Sequence, residues 1–216
     1  MHAPPPTARQ GLALPKPSSA VSFHAFTLIE LLVVIVIIAV LMGLAFPVFQ
    51  GVQNQAKKTQ AKNDLTQIVT AVNAFYTEYG KYPLPSGASG DGYPVGGTGA
   101  TAKPIFDALR GLDPVLNPRQ IIFISPPDAK DPASPRSGMG TTTGSGQFYD
   151  PWGIPYAMSI DADYDNQVPN PYTADTGAGA AKIRQGVIAW SLGKDQKGGT
   201  ASKTSADSND DVISWQ

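Results

Sequence analysis

Four aspartates, Asp195, Asp207, Asp210 and Asp211, fall in the C-terminal stretch of the chain, with few apolar residues between them. Carboxylates gathered on one loop repel unless a cation neutralises them. Ca²⁺ suits such a loop, because it takes about six to eight oxygens in tolerant geometry. A second run, Asp161-Ala162-Asp163-Tyr164-Asp165-Asn166, sets carboxylates at alternate positions, as the opening of a calcium loop does. The complete loop pattern would need Gly in place of Asn166 and Glu in place of Tyr172. An aspartate-rich hairpin is therefore the expectation there, with a second ion as the alternative. Glu30 stands alone in a long apolar run, and Glu78 is the only other glutamate. The two histidines, His2 and His24, precede that run, and the chain has no cysteine. With so few candidate nucleophiles and bases, the usual nucleophile–base arrangements are hard to assemble, and the chain reads as a non-enzyme, with an Asp–Asp hydrolase as the remote alternative. A net charge of −1 gives no general attraction to nucleic acid. Lys57, Lys58 and Lys62 are too few for a nucleic-acid stripe.

The elements that must carry these groups follow from pattern. Residues 1–25 contain Arg9, Lys16 and several prolines and no acid, as a targeting leader would. From Leu31 to Phe49 there are 19 residues without a charge, long enough to span a membrane. A carboxylate such as Glu30 costs about 2.5–3.5 kcal/mol in a bilayer centre, so its presence calls for a partner. Beyond the span, Leu65, Ile68, Val69, Val72, Phe75, Tyr76 and Tyr79 recur on one face of a 3.6-residue period. One helix is predicted over 26–79, apolar over 26–49 and amphipathic over 50–79. Pro47 and Gly51 are expected to bend or locally melt it, and Gly80 and Pro83 to end it. Lys57, Lys58 and Lys62 after the span offset Arg9 and Lys16 before it, so basic residues leave orientation open.

Residues 80–216 read as a loop-rich α+β domain. Lys103–Leu112 is predicted to be a short helix with Ile105, Phe106 and Leu109 inward. Gln120–Ser125, Tyr156–Ile160 and Ile183–Ser191 are predicted strands, the last two paired antiparallel and packed on the amphipathic helix face.

The stretch Phe26-Thr27-Leu28-Ile29-Glu30-Leu31-Leu32-Val33-Val34 resembles the prepilin signature of type IV pilins and of the pseudopilins of type II secretion. The resemblance implies a cut between Ala25 and Phe26 by a cytoplasmic prepilin peptidase and methylation of the new terminus at Phe26. It also implies a charge pair between Glu30 and the terminal amine of a neighbouring subunit. Pro47 matches the helix-kinking proline of the family; Ala25 stands where the family has Gly. Asp150-Pro151-Trp152-Gly153-Ile154-Pro155-Tyr156 is similar to the DPWGNPY turn of major pseudopilins, and its expected role is to build the fold. Ser191-Leu192-Gly193-Lys194-Asp195 with Asp211-Val212-Ile213-Ser214-Trp215 is similar to their calcium-binding loop. That likeness implies ligands from Asp195, Asp211 and the Leu192 carbonyl, with Asp207 or Asp210 as alternatives. The implied protein has a pilin-like fold and is a single-pass inner-membrane subunit with its C-terminal domain in the periplasm. It would assemble with itself, with other pseudopilins and with the inner-membrane secretion platform. The alternatives are a type IV pilin for adhesion or DNA uptake, and a membrane-tethered calcium-dependent module that does not polymerise.

Overall fold

The computed structural model describes residues 27–172, 178–197 and 210–216, apart from the side chains of 44–48. The chain divides into two units, Met1–Val48 and Phe49–Gln216. The predicted cleavage residues Ala25 and Phe26, and the alternative ligand Asp207, lie outside the described residues.

The first described element is α1 (Leu28–Tyr79). Thr27 and Glu30 start it reciprocally. Glu30 Oε2 accepts the Thr27 N–H and hydroxyl, each at 2.8 Å, and the Glu30 N–H donates to Thr27 Oγ1 at 3.3 Å. This is a capping box, a Thr and a Glu three residues apart, and it secures donors that the helix itself leaves unmet. Every large apolar side chain described from Leu28 to Met42 is at least 45% exposed. Among the described residues no helix is long and apolar enough to cross a membrane. The uncharged run of the sequence includes residues 44–48, whose side chains are not among those described. Of the bend or local melting expected at Pro47 and Gly51, the melting does not occur: both residues are helical.

In the second unit, the remainder of α1 presents Ala61, Leu65, Ile68, Val72 and Phe75 to the core, all fully buried. Val69 and Tyr79 are partly buried against that core. Tyr76 departs from the expected face and stacks on Tyr82 instead. The helix stops at Tyr79, where Gly80 takes a φ of 67° and donates to the Tyr76 carbonyl.

Strand β1 (Tyr93–Val95) and helix α2 (Lys103–Leu109) follow, with Ile105, Phe106 and Leu109 of α2 buried as predicted. Next come β2 (Gly138–Met139), β3 (Phe148–Tyr149), β4 (Ala157–Ile160), β5 (Val168–Pro169), β6 (Lys182–Ile183), β7 (Val187–Ser191) and β8 (Val212–Ile213). An antiparallel sheet in the order β1-β4-β7-β8 shares one core with α1 and α2. Its register sets Tyr93 and Val187 against Ile160, and Ala157 and Ile213 against Trp190. The result is the expected α+β, pilin-like arrangement of an N-terminal helix on an antiparallel sheet.

Two expectations are corrected. Gln120–Ser125 is not a strand: the Phe123 and Ile124 N–H groups both donate to the Leu109 carbonyl, at 2.8 and 3.3 Å. The segment is bound to the end of α2, and Pro118, Pro126 and Pro127 beside it have no N–H to offer a ladder. Ile183–Ser191 is not one strand either. Ile183 pairs with Val168 and Val187 with Ile160, and the chain turns between them through a Gln185-to-Ile183 bond of 2.9 Å. Gly186 is needed at this turn, because a Cβ there would lie 1.8 Å from the Tyr82 hydroxyl oxygen.

Candidate functional site

The Asp150–Tyr156 turn holds the centre of the domain. Asp150 is fully buried, and its Oδ1 accepts the N–H groups of Trp152, Gly153 and Ile154 at 2.9, 2.8 and 3.0 Å. Its Oδ2 accepts the Ser191 hydroxyl at 2.6 Å, tying the turn to the end of β7. Gly153 takes a φ of 100°, which an L side chain resists. Burial raises the Asp150 carboxyl above the usual range, against the pull of these hydrogen bonds. Tyr156, two residues beyond Ile154, donates its hydroxyl to Asp64 of α1 at 2.7 Å. Burial likewise raises Asp64, Tyr156 draws it back, and the charge of Asp150 adds to the rise. The turn is thus a structural lock between helix and sheet, as its sequence implies.

Three of the predicted tail ligands come together. Asp195, Asp210 and Asp211 each place a carboxylate oxygen within 4.8 Å of the others. Each also uses an oxygen toward protein donors. Asp210 Oδ2 accepts the N–H groups of Lys194 and Asp195 at 2.5 and 3.1 Å. Asp195 Oδ1 accepts the Lys197 N–H at 2.9 Å, and Asp211 Oδ2 accepts the buried Tyr172 hydroxyl at 2.6 Å. Burial, followed by this bond and the Asp211 charge, raises the Tyr172 phenol. The buried Leu192 precedes Gly193, whose backbone is packed so closely on Asp210 that a Cβ would come within 2.6 Å of the Asp210 carbonyl oxygen. Three hard oxygen donors within 4.8 Å of one another suit Ca²⁺ in kind.

The aspartate-rich run resolves differently from its sequence pattern. Asp161 is buried, and its two oxygens accept the Tyr164 and Asn166 N–H groups at 2.6 and 2.7 Å. It caps the turn. Asp163 and Asp165 gather instead with Asp91, whose Oδ2 lies 2.6 Å from the Lys182 ammonium. Lys182 already supplies a positive charge to that group, and chain order gave no hint of it.

Lys62 was legible in the sequence only as a basic residue after the span. Its Nζ donates to the Ile213 carbonyl at 2.7 Å and also to the Gln216 carbonyl, holding the last residues on α1. Trp215 closes the same tail by donating to the Ala178 carbonyl at 2.7 Å.

Residues 22–46 match the prokaryotic N-terminal methylation motif. The type IV major pilin protein PilA of Myxococcus xanthus (strain DK1622) is 40% identical over 59 residues, 27% of this chain and 27% of that protein. The type II secretion system core protein G of Aeromonas hydrophila is 29% identical over 133 residues, 62% of this chain and 70% of that protein. The chain thus spans about a quarter of the pilin and over two thirds of the secretion protein. No solved structure matches it.

Proposed function

From the premise that this chain is a pilin-like protein with an N-terminal methylation motif, related to type IV pilins and to a type II secretion core protein, we propose that it is a structural subunit of a periplasmic pseudopilus. The carrying observation is the motif at residues 22–46, which overlaps the exposed apolar start of α1. Burying a large aliphatic side chain is worth about 1.5–3 kcal/mol, so such a surface is stable in lipid or against other helices. Subunits wait in the inner membrane, anchored by residues 26–49, with residues 80–216 in the periplasm. A prepilin peptidase cuts between Ala25 and Phe26, and the new amine of one subunit meets Glu30 of the next. Two opposite charges buried as a pair offset much of a cost that either alone would incur. Assembly then proceeds with other pseudopilins on the inner-membrane platform and drives protein export.

The tail is proposed to bind Ca²⁺ through Asp195, Asp211 and the Leu192 carbonyl, with Asp210 or Asp207 completing the set. Support comes from the approach of Asp195, Asp210 and Asp211. A surface type IV pilin is the second reading, favoured by the 40% identity to the Myxococcus pilin over 59 residues.

Co-expression of the full chain with a prepilin peptidase and a secretion platform is the test. Intact mass should give an N-methylated chain beginning at Phe26, and electron microscopy should show filaments. A mature chain starting elsewhere, or one that stays dispersed in the membrane, defeats the proposal. Long filaments outside the outer membrane would favour the surface pilus.

A further inference from the structure

At the far end of α1 three tyrosines cluster, and the buried Tyr82 among them belongs to the core. Tyr76 lies on Tyr82 with ring centroids 4.6 Å apart and planes 24° apart, and Tyr82 lies on Tyr164 at 5.5 Å and 22°. The other two, whose ring centroids lie 6.4 Å apart, are open to solvent: Tyr76 is 40% exposed and Tyr164 is 50% exposed. Tyr164 is held there at a φ of 65°, a conformation bulky residues avoid, by its N–H bond to the buried Asp161. Strain of this kind persists only where the surroundings enforce it. On the rim, Asp163 and Asp165 flank Tyr164 and join Asp91, with Lys182 offsetting one of the three charges. Open aromatic faces beside uncompensated carboxylates recognise ammonium and guanidinium groups, through cation–π attraction and charge-assisted hydrogen bonds.

The same unit carries a cleft in which three cations outnumber two carboxylates. Lys57, Lys130 and Arg136 line an open cleft of about 630 Å³, together with Asp128 and Asp131. Lys130 and Arg136 are exposed. Lys57 and Tyr76 lie 19 residues apart on α1, an axial offset of about 28 Å at about 1.5 Å per residue. Two complementary faces at different heights on one chain make a head-to-tail contact, and such contacts propagate into open helical filaments when they do not close.

We propose that the Tyr76–Tyr82–Tyr164 face of one subunit docks into the Lys57–Lys130–Arg136 cleft of a second copy of this chain. The cations of the cleft lie over the exposed rings and against Asp163 and Asp165. This rests on the filament reading, and adds to it a contact between folded domains that is independent of the N-terminal helices.

The test is a charge swap in the full chain under assembling conditions. Asp163→Lys with Asp165→Lys should lower filament yield about tenfold, as loss of close charge pairs across an interface does. Lys130→Asp with Arg136→Asp should do the same, and all four changes together should restore most of the yield. Unchanged melting temperatures of the second unit show that the variants fold. Wild-type filaments with both double variants assembling fully, or a quadruple variant no better than the doubles, overturn the contact. Absence of filaments from the wild type overturns the filament reading itself, and this inference with it.

Discussion

From Leu28 to Met42 the large apolar side chains of α1 face solvent, whereas Leu65, Ile68, Val72 and Phe75 further along are wholly buried. Both stretches are helical and rich in aliphatic residues. The difference lies in what covers them. The later stretch carries polar residues between its apolar ones, so a single face suffices and the chain's own sheet and α2 meet it. The earlier stretch is apolar all round, and no surface of one small domain could wrap it. Burial of the first region therefore depends on other molecules, and burial of the second on folding. Damage to the first should appear in assembly, and damage to the second in stability.

The largest separation should come from Glu30→Leu. It removes the lone charge of the first region and half of the capping box at Thr27. Filament yield should fall by more than about tenfold, as expected for a lost buried charge pair, while the protein still fractionates with membranes. Normal yield by electron microscopy would remove the charge-pair argument. Next is a matched pair of truncations. Ile68→Ala should cost the head domain about 2–5 kcal/mol in denaturant unfolding of the detergent-solubilised chain. Ile35→Ala should leave that transition where it is. Equal effects would mean that the two regions are not covered by different means. Asp150→Ala should rank close behind, at on the order of 3 kcal/mol, because it orphans the buried Trp152 N–H and the half-buried N–H groups of Gly153 and Ile154. Asp150→Asn, which keeps one acceptor oxygen, should lose less.

Calcium should act on the second region alone. Ion binding to the folded state adds about 2.7 kcal/mol when the free ion is a hundredfold above Kd. The head should melt higher in calcium than in chelator, and Asp211→Ala should remove most of the gain. Identical melting curves would end the calcium proposal. The smallest effect is in pH. Asp64 and Asp150 have folded values raised by burial. Folding therefore takes up protons at these carboxyls. Their contribution is greatest below the unfolded value of about 3.9 and is lost as pH rises through the raised folded values. Asp64→Asn should flatten that decline, as read from denaturation midpoints at a series of pH values. An unchanged slope would exclude Asp64 from it.

Much of the architecture was legible in the amino-acid sequence. Short-range rules governed those parts: the 3.6-residue period of the Leu65–Phe75 face, Gly80 and Pro83 as stop signals, and Asp150-Pro151-Trp152-Gly153 as a turn. The thwarted expectations concern partners distant in the chain. Gln120–Ser125 has the composition of a strand, yet its donors go to Leu109 of α2. Ile183 and Val187 looked continuous but pair with different strands.

The candidate sites divide along the same line. The chain alone determined that Glu30 would be an isolated charge in an apolar helix, and that aspartates would gather in the tail, because both are facts of order and composition. Only the tertiary structure decided which carboxylates meet. It joined Asp195 with Asp210 and Asp211, turned Asp161 into a cap, and drew Asp91 and Lys182 to Asp163 and Asp165 from remote parts of the chain. It also set Lys62 under the last residues and stacked Tyr76, Tyr82 and Tyr164. The reason is physical. A helix period or a turn is settled by forces between residues a few positions apart, whereas a cluster of charges or rings depends on chain segments that only the packed core brings within a few ångströms.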